Sequence, residues 1–152
     1  MECCCNSLPD LAVVPMGGDG LDERVFATID NVRDHGGDQW WLYLSRCGAC
    51  GQNWMVAQEE RIYDDYYLRR LNAEVARQVE CDGRWPTEFI TYERVLRIGR
   101  MMSRPFTYLD SLSPALVATV DDLRKERPNI TVDEMAYLLG VSSENVSRLL
   151  AV

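Results

Sequence analysis

The sequence predicts an α+β protein: a small antiparallel, zinc-ribbon-like β hairpin packed with helices, followed by a C-terminal trihelical, helix-turn-helix-like unit. Three observations predict it. Two apolar, aromatic-rich runs, Gln39 to Arg46 and Gln52 to Gln58, flank the tight segment Cys47-Gly48-Ala49-Cys50-Gly51 and read as paired strands. The apolar spacing then becomes helical, with Tyr67, Leu68, Leu71, Val75 and Val79 on one stripe. Finally, Thr131 to Leu150 carries the spacing of two short helices joined at Gly140.

In chain order, the first 23 residues are rich in Gly, Pro and Asp and read as an irregular arm, and Arg24 to Asp30 reads as a short strand before a turn at His35-Gly36-Gly37-Asp38. The hairpin follows, then a helix from Asp64 to about Cys81, with Asp64 and Asp65 suiting its N-terminal dipole and Asp82-Gly83 ending it. Thr91 to Met102 is a second helix. Pro114 to Glu126 is a third, with Ser113 as N-cap and Pro114 in the first turn. Short helices from about Val132 to Leu139 and Ser143 to Leu150 complete the chain. This gives a zinc-knuckle α+β domain over 1–102, a linker over 103–113 and a helical unit over 114–152.

Composition narrows the function. Within 152 residues, 16 Lys+Arg face 24 Asp+Glu, a net charge of -8. That balance argues against a nucleic-acid-coating protein and a basic membrane-surface helix. No run approaches the ~20 apolar residues of a membrane span. The start, Glu2-Cys3-Cys4-Cys5-Asn6 after the initial methionine, lacks the regions of a signal peptide, so a cytoplasmic location without membrane partners is expected.

In a reducing compartment, clustered cysteines point to metal or redox chemistry rather than disulfides. The six are Cys3, Cys4, Cys5, Cys47, Cys50 and Cys81. Cys47-x-x-Cys50-Gly51 is a half-site: two thiolates on one turn, with a glycine that lets amides point at sulfur. A tetrahedral structural Zn2+ needs two more ligands, which the N-terminal cluster can supply as Cys3 and Cys5, because adjacent side chains diverge in an extended segment. Free cysteines and a redox pair remain as alternatives, the latter without a thioredoxin-like pattern around it.

The helical end is a strong fold signal. Ala136 is small where helices cross, Gly140 permits a left-handed turn, Val141, Val146 and Leu149 fill a shared core, and Ser142 or Ser143 caps the second helix. Asn145, Ser147 and Arg148 are the DNA-contact candidates. Glu144 and the acids Asp121, Asp122, Glu126, Asp133 and Glu134 weigh against that role and favour a structural or protein-binding one.

Catalytic signals are sparse. His35 is the sole histidine, Gly17-Gly18-Asp19-Gly20 lacks the lysine of a phosphate loop, and no nucleophile set assembles, so no enzyme is expected. Glu59, Glu60, Tyr63, Asp64, Asp65 and Tyr66 instead read as a partner-binding patch. Tyrosines supply contact area and carboxylates steer a basic partner, against the plainer reading of a solvated helix start.

The run Trp40-Trp41-Leu42-Tyr43-Leu44-Ser45-Arg46-Cys47-Gly48-Ala49-Cys50-Gly51-Gln52-Asn53-Trp54, followed by Val56 to Arg61, resembles small bacterial proteins with a Cys-x-x-Cys-Gly-Gln-x-Trp knuckle. Such proteins occur among the immunity proteins of polymorphic and contact-dependent toxin systems. The resemblance spans Gln39 to Leu71 and implies a non-enzymatic inhibitor that binds a cognate toxin domain, expected here to be a basic nuclease domain. The triple-cysteine start and the helix-turn-helix end depart from it. They keep a zinc-containing DNA-binding regulator as the alternative, with nucleic acid a partner only in that case.

Overall fold

The computed structural model describes residues 2–108 and 110–152. The chain is α+β, and its described residues form a five-stranded antiparallel sheet and six α-helices. The strands are β1 (Leu11–Pro15), β2 (Ile29–Gly36), β3 (Gln39–Cys47), β4 (Asn53–Glu59) and β5 (Asp65–Leu71). The helices are α1 (Leu21–Phe26), α2 (Ala73–Asp82), α3 (Tyr92–Met101), α4 (Pro114–Glu126), α5 (Val132–Leu139) and α6 (Ser143–Leu150). Two compact units divide the chain: Met1–Glu59 with Asp65–Ile90, and Glu60–Asp64 with Thr91–Val152. Among the described residues, no helix is long and apolar enough to cross a membrane.

In the first unit, β2 to β5 run as a meander and β1 adds beside β5, giving the order β1-β5-β4-β3-β2. The sheet buries residues on both faces. On one, Ala12, Val14, Ile29, Cys47, Trp54, Val56 and Leu68 cluster with Val25 of α1 and Cys5 of the arm. On the other, Leu42, Leu44, Met55, Ala57 and Leu71 are buried, and α2 packs along β3 and β4. This is why Trp54 to Ala57 reads as a continuous apolar run instead of an alternating one.

Three expectations are corrected here. The arm is not wholly irregular, because Leu11–Pro15 pairs with β5, Ala12 and Val14 pointing into the core. The expected strand at Arg24 begins only at Ile29, after α1. The helix expected from Asp64 is two elements, since Asp65–Leu71 is strand β5 and Asn72 caps α2 by accepting from the Val75 amide. Tyr67, Leu68 and Leu71 suit a helical stripe, but a strand covered on both faces buries neighbours too. Tyr67 and Leu68 are both buried.

The second unit contains four helices. α3, which the sequence groups with residues 1–102, clusters with α4 to α6. Three of its helix starts are satisfied by nearby caps, and α3 also by a distant carboxylate, as orphan amides require. Thr91 accepts from the Arg94 amide and Ser142 from the Asn145 amide. Thr131 and Glu134 form a reciprocal capping box. The Glu126 carboxylate accepts from the amides of Tyr92 and Glu93. Ser113 occupies the N-cap position of α4 but makes no side-chain cap, and its Oγ is buried. Gly140 takes φ +69° between α5 and α6, and the Phe106 ring lies where a Cβ would stand.

Candidate metal centre

The hairpin turn fixes the first sulfur pair. The Cys47 amide donates to Gln52 O at 2.9 Å and the Gly51 amide to Cys47 O at 2.9 Å. Gly51 supports this tight reversal at φ +78°. The Gly48 amide donates to Thr28 O at 2.7 Å, tying the turn to the chain entering β2. Cys47 ends β3 in the core, whereas Cys50 is exposed on the turn.

The arm brings the second pair. Cys5 opens a single 3-10 turn, Cys5–Ser7, and is buried. Arg70 of β5 holds this turn from below: its Nη2 donates to Cys5 O and Leu8 O at 2.8 Å each, and its Nε to Asp10 Oδ1 at 3.1 Å. Its Nη1 reaches Gln52 Oε1 at 3.0 Å, and the guanidinium lies 4.4 Å from the centre of the Trp54 ring. Trp54 in turn donates its indole N–H to Cys5 Sγ at 3.4 Å. Arg70 and Trp54 therefore join the arm to the knuckle. Neither is distinguished as a site residue by the sequence, where Arg70 reads as the polar side of a helix and their pairing spans long range.

As a result, the sulfurs of Cys3, Cys5, Cys47 and Cys50 all lie within 4.8 Å of one another, and the four could hold a metal ion. These are the four ligands expected from spacing. Cys4 lies outside the group, and Cys81 is exposed on α2.

The four thiols are electrostatically unequal. Burial raises the Cys47 pKa, but hydrogen bonds from the Thr28 hydroxyl and the amides of Cys50 and Ala49 outweigh it and bring it down to about 6. Burial pushes Cys5 up to about 12, although the Trp54 N–H favours its thiolate. A thiolate at Cys47 itself opposes a second negative charge on Cys5. Four sulfurs this close cannot all ionise without a cation, and a divalent ion removes that conflict while binding thiolates alone.

The other expected site residues are placed differently. Glu59 and Asp65 face each other in the β4–β5 register and both are buried. Tyr67 donates its hydroxyl to Asp65 Oδ2 at 3.2 Å. Tyr63 is buried in the helical unit, beside Gly99 and 5.2 Å from the Phe106 ring centre. Tyr66 is half-buried against Phe26, Asp64 is half-buried, and Glu60 is exposed. The six do not form one exposed patch: β5 turns alternate residues inward, and the 60–64 excursion buries Ile62 and Tyr63.

Of the DNA-contact candidates, Asn145 is buried and donates to Ser111 O at 2.6 Å. Ser147 donates to Ser143 O at 3.2 Å, and Arg148 pairs with Glu144 at 2.9 Å. A large exposed aromatic and exposed acids occur elsewhere, on the β2–β3 hairpin. Trp40 is 58% exposed at the start of β3, next to exposed Asp38, and Asp34 is exposed on the neighbouring edge strand β2. Comparison of the chain with protein-family models, curated proteins and solved structures found no match.

Proposed function

We propose that this protein is a non-enzymatic, cytoplasmic immunity protein that neutralises a basic toxin domain, with a structural Zn2+ on Cys3, Cys5, Cys47 and Cys50. The observation that carries the binding role is Trp40, left 58% exposed on a hairpin with exposed Asp34 and Asp38. A solvated indole is a standing hydrophobic cost that a partner would recover, and tryptophan is favoured at binding hot spots. The exposed carboxylates of the same hairpin, within a net charge of -8, select a cationic partner and speed its approach. The patch expected at Glu59 to Tyr66 contributes Glu60 at most through exposure, so the binding surface moves to the β2–β3 hairpin.

Zinc suits the donor set. Four thiolates at one point match a closed tetrahedral structural site and leave no position for a substrate.

The test is protection of bacterial cells from the toxin domain encoded beside this protein's gene, with co-purification of the pair. A salt-sensitive complex weakened at least ~10-fold by Trp40→Ala is expected, the scale of an aromatic hot spot. Failure to protect cells would overturn the immunity role. Metal analysis of the purified protein should find about one equivalent of zinc.

A further inference from the structure

The four sulfurs differ in what can reach them. Cys5 and Cys47 are each 1% exposed. Each also has a polar neighbour at 3.4 Å, the Trp54 indole for Cys5 and the Thr28 hydroxyl for Cys47. Cys50 is exposed on the turn, and Cys3 is half-buried in the arm. A small oxidant arriving from solvent meets Cys50 first, and the one neighbouring thiol of the cluster that is not fully buried is Cys3.

We propose that Cys50 is an oxidation site for hydroperoxides and Cys3 its resolving thiol, so that a Cys3–Cys50 disulfide replaces the metal as the clasp of the N-terminal arm. This rests on the zinc reading above for its starting state. The Cys50 thiolate attacks one peroxide oxygen and the O–O bond breaks. With hydrogen peroxide the other oxygen leaves as hydroxide, takes a proton and becomes water, and Cys50 becomes a sulfenic acid. The Cys3 thiolate then attacks the Cys50 sulfur, forming the S–S bond and releasing the sulfenic oxygen as a second water once protonated. Two electrons pass from the sulfur pair to the peroxide. Two of four ligands are lost, and Cys5 with Cys47 cannot retain a structural zinc alone.

The geometry favours this pair over Cys47–Cys50. Cys47 is buried and anchored by Thr28 and by turn amides, whereas Cys3 is only half-buried and lies ahead of the 3-10 turn of the arm. All four sulfurs lie within 4.8 Å, so a side-chain rotation and a small shift of the arm bring Cys3 into bonding range. The chain arm then stays attached to the hairpin in either redox state.

The full-length protein, as purified, is titrated with hydrogen peroxide while zinc release is followed with a colorimetric chelator and thiols are counted. Tryptic peptides are sequenced by mass spectrometry. The expected result is loss of two thiols with release of about one zinc per chain, a Cys3–Cys50 crosslink, and reversal by dithiothreitol. Cys4→Ser and Cys81→Ser, which keep the four ligands, should behave the same. Zinc retained while exposed Cys81 is oxidised, a Cys47–Cys50 link, or a link through Cys4 overturns the proposal. If metal analysis finds no zinc, the zinc reading fails by itself. Peroxide treatment of that metal-free protein still decides whether Cys3 and Cys50 pair.

Discussion

The two units hold themselves together by different means. In the sheet unit, the arm before β1 has one 3-10 turn and little regular structure, and it sits against distant partners: Cys47, Cys50, Trp54 and Arg70. In the helical unit, three of the helix starts are capped by residues within a turn, although Glu126 also reaches back to α3. Caps start α3, α5 and α6, and Arg127 bridges Glu93 and Glu134 near the helix ends. Among the described residues, the sheet unit alone contains a metal-competent cluster. Long-range side-chain contacts thus support the arm, and capping appears where short helices need their amides satisfied.

Metal removal should break this contrast most strongly. Chelation, or Cys47→Ala, should unfold the arm and loosen the sheet, with a loss that draws on the ~10 kcal/mol scale of structural zinc binding. Helical circular dichroism should survive to higher temperature than tryptophan fluorescence. A single coincident transition at the wild-type temperature would show that the cluster carries no stability.

Gly140→Ala is the matching break in the helical unit. A Cβ there meets the Phe106 ring at a positive φ, so strain and overpacking together should cost about 2–4 kcal/mol. Denaturant unfolding measures it, and zinc content should not change. Thr131→Ala removes one half of the capping box and should cost about 1 kcal/mol by the same measurement.

The smallest effect is electrostatic and should be confined to acid pH. Arg127, then the Thr131 amide and hydroxyl, hold Glu134 down at about 2, well below the ordinary 4.5. Burial opposes the same shift at Glu93, but Arg127 and Arg97 prevail. A depressed carboxylate contributes stability that is full above its ordinary pKa and lost as pH falls through the folded value. Wild type should therefore exceed Arg127→Met at pH 7, and the gap should close between about pH 4.5 and 2, as thermal melts across that range would show. These groups are partly exposed, so salt should narrow the gap as well.

The contrast between units also explains what the sequence revealed. Helix starts are written in adjacent residues, so the Gly140 turn and a serine cap at 142 or 143 could be read directly, and Ser142 is the one that caps. The four cysteines were readable because their chemistry demands a count of ligands, wherever these lie in the chain. Strand identity was less accessible. Tyr67, Leu68 and Leu71 fit a helical stripe, and only pairing with β4 and β1 makes Asp65–Leu71 a strand. That error carried into the site, because a helix start would have exposed Glu59, Asp65 and Tyr63, which the fold buries. Trp40 was read as one of several strand aromatics, and its exposure follows from the sheet's boundary.

The short excursion Glu60–Asp64 has a consequence for dissecting the molecule. It leaves the sheet after β4 and belongs to the helical unit before the chain returns as β5. Ile62 and Tyr63 are buried there, the Thr107 amide donates to Ile62 O at 2.8 Å, and Arg61 pairs with Asp122 at 2.6 Å. A fragment beginning at Thr91 would lack part of its own interior, with Gly99 and Phe106 left facing a gap where Tyr63 belongs. The helical unit cannot be excised by one cut. Gene shuffling or truncation would have to carry both units together, or graft five residues from the sheet's loop onto the helices.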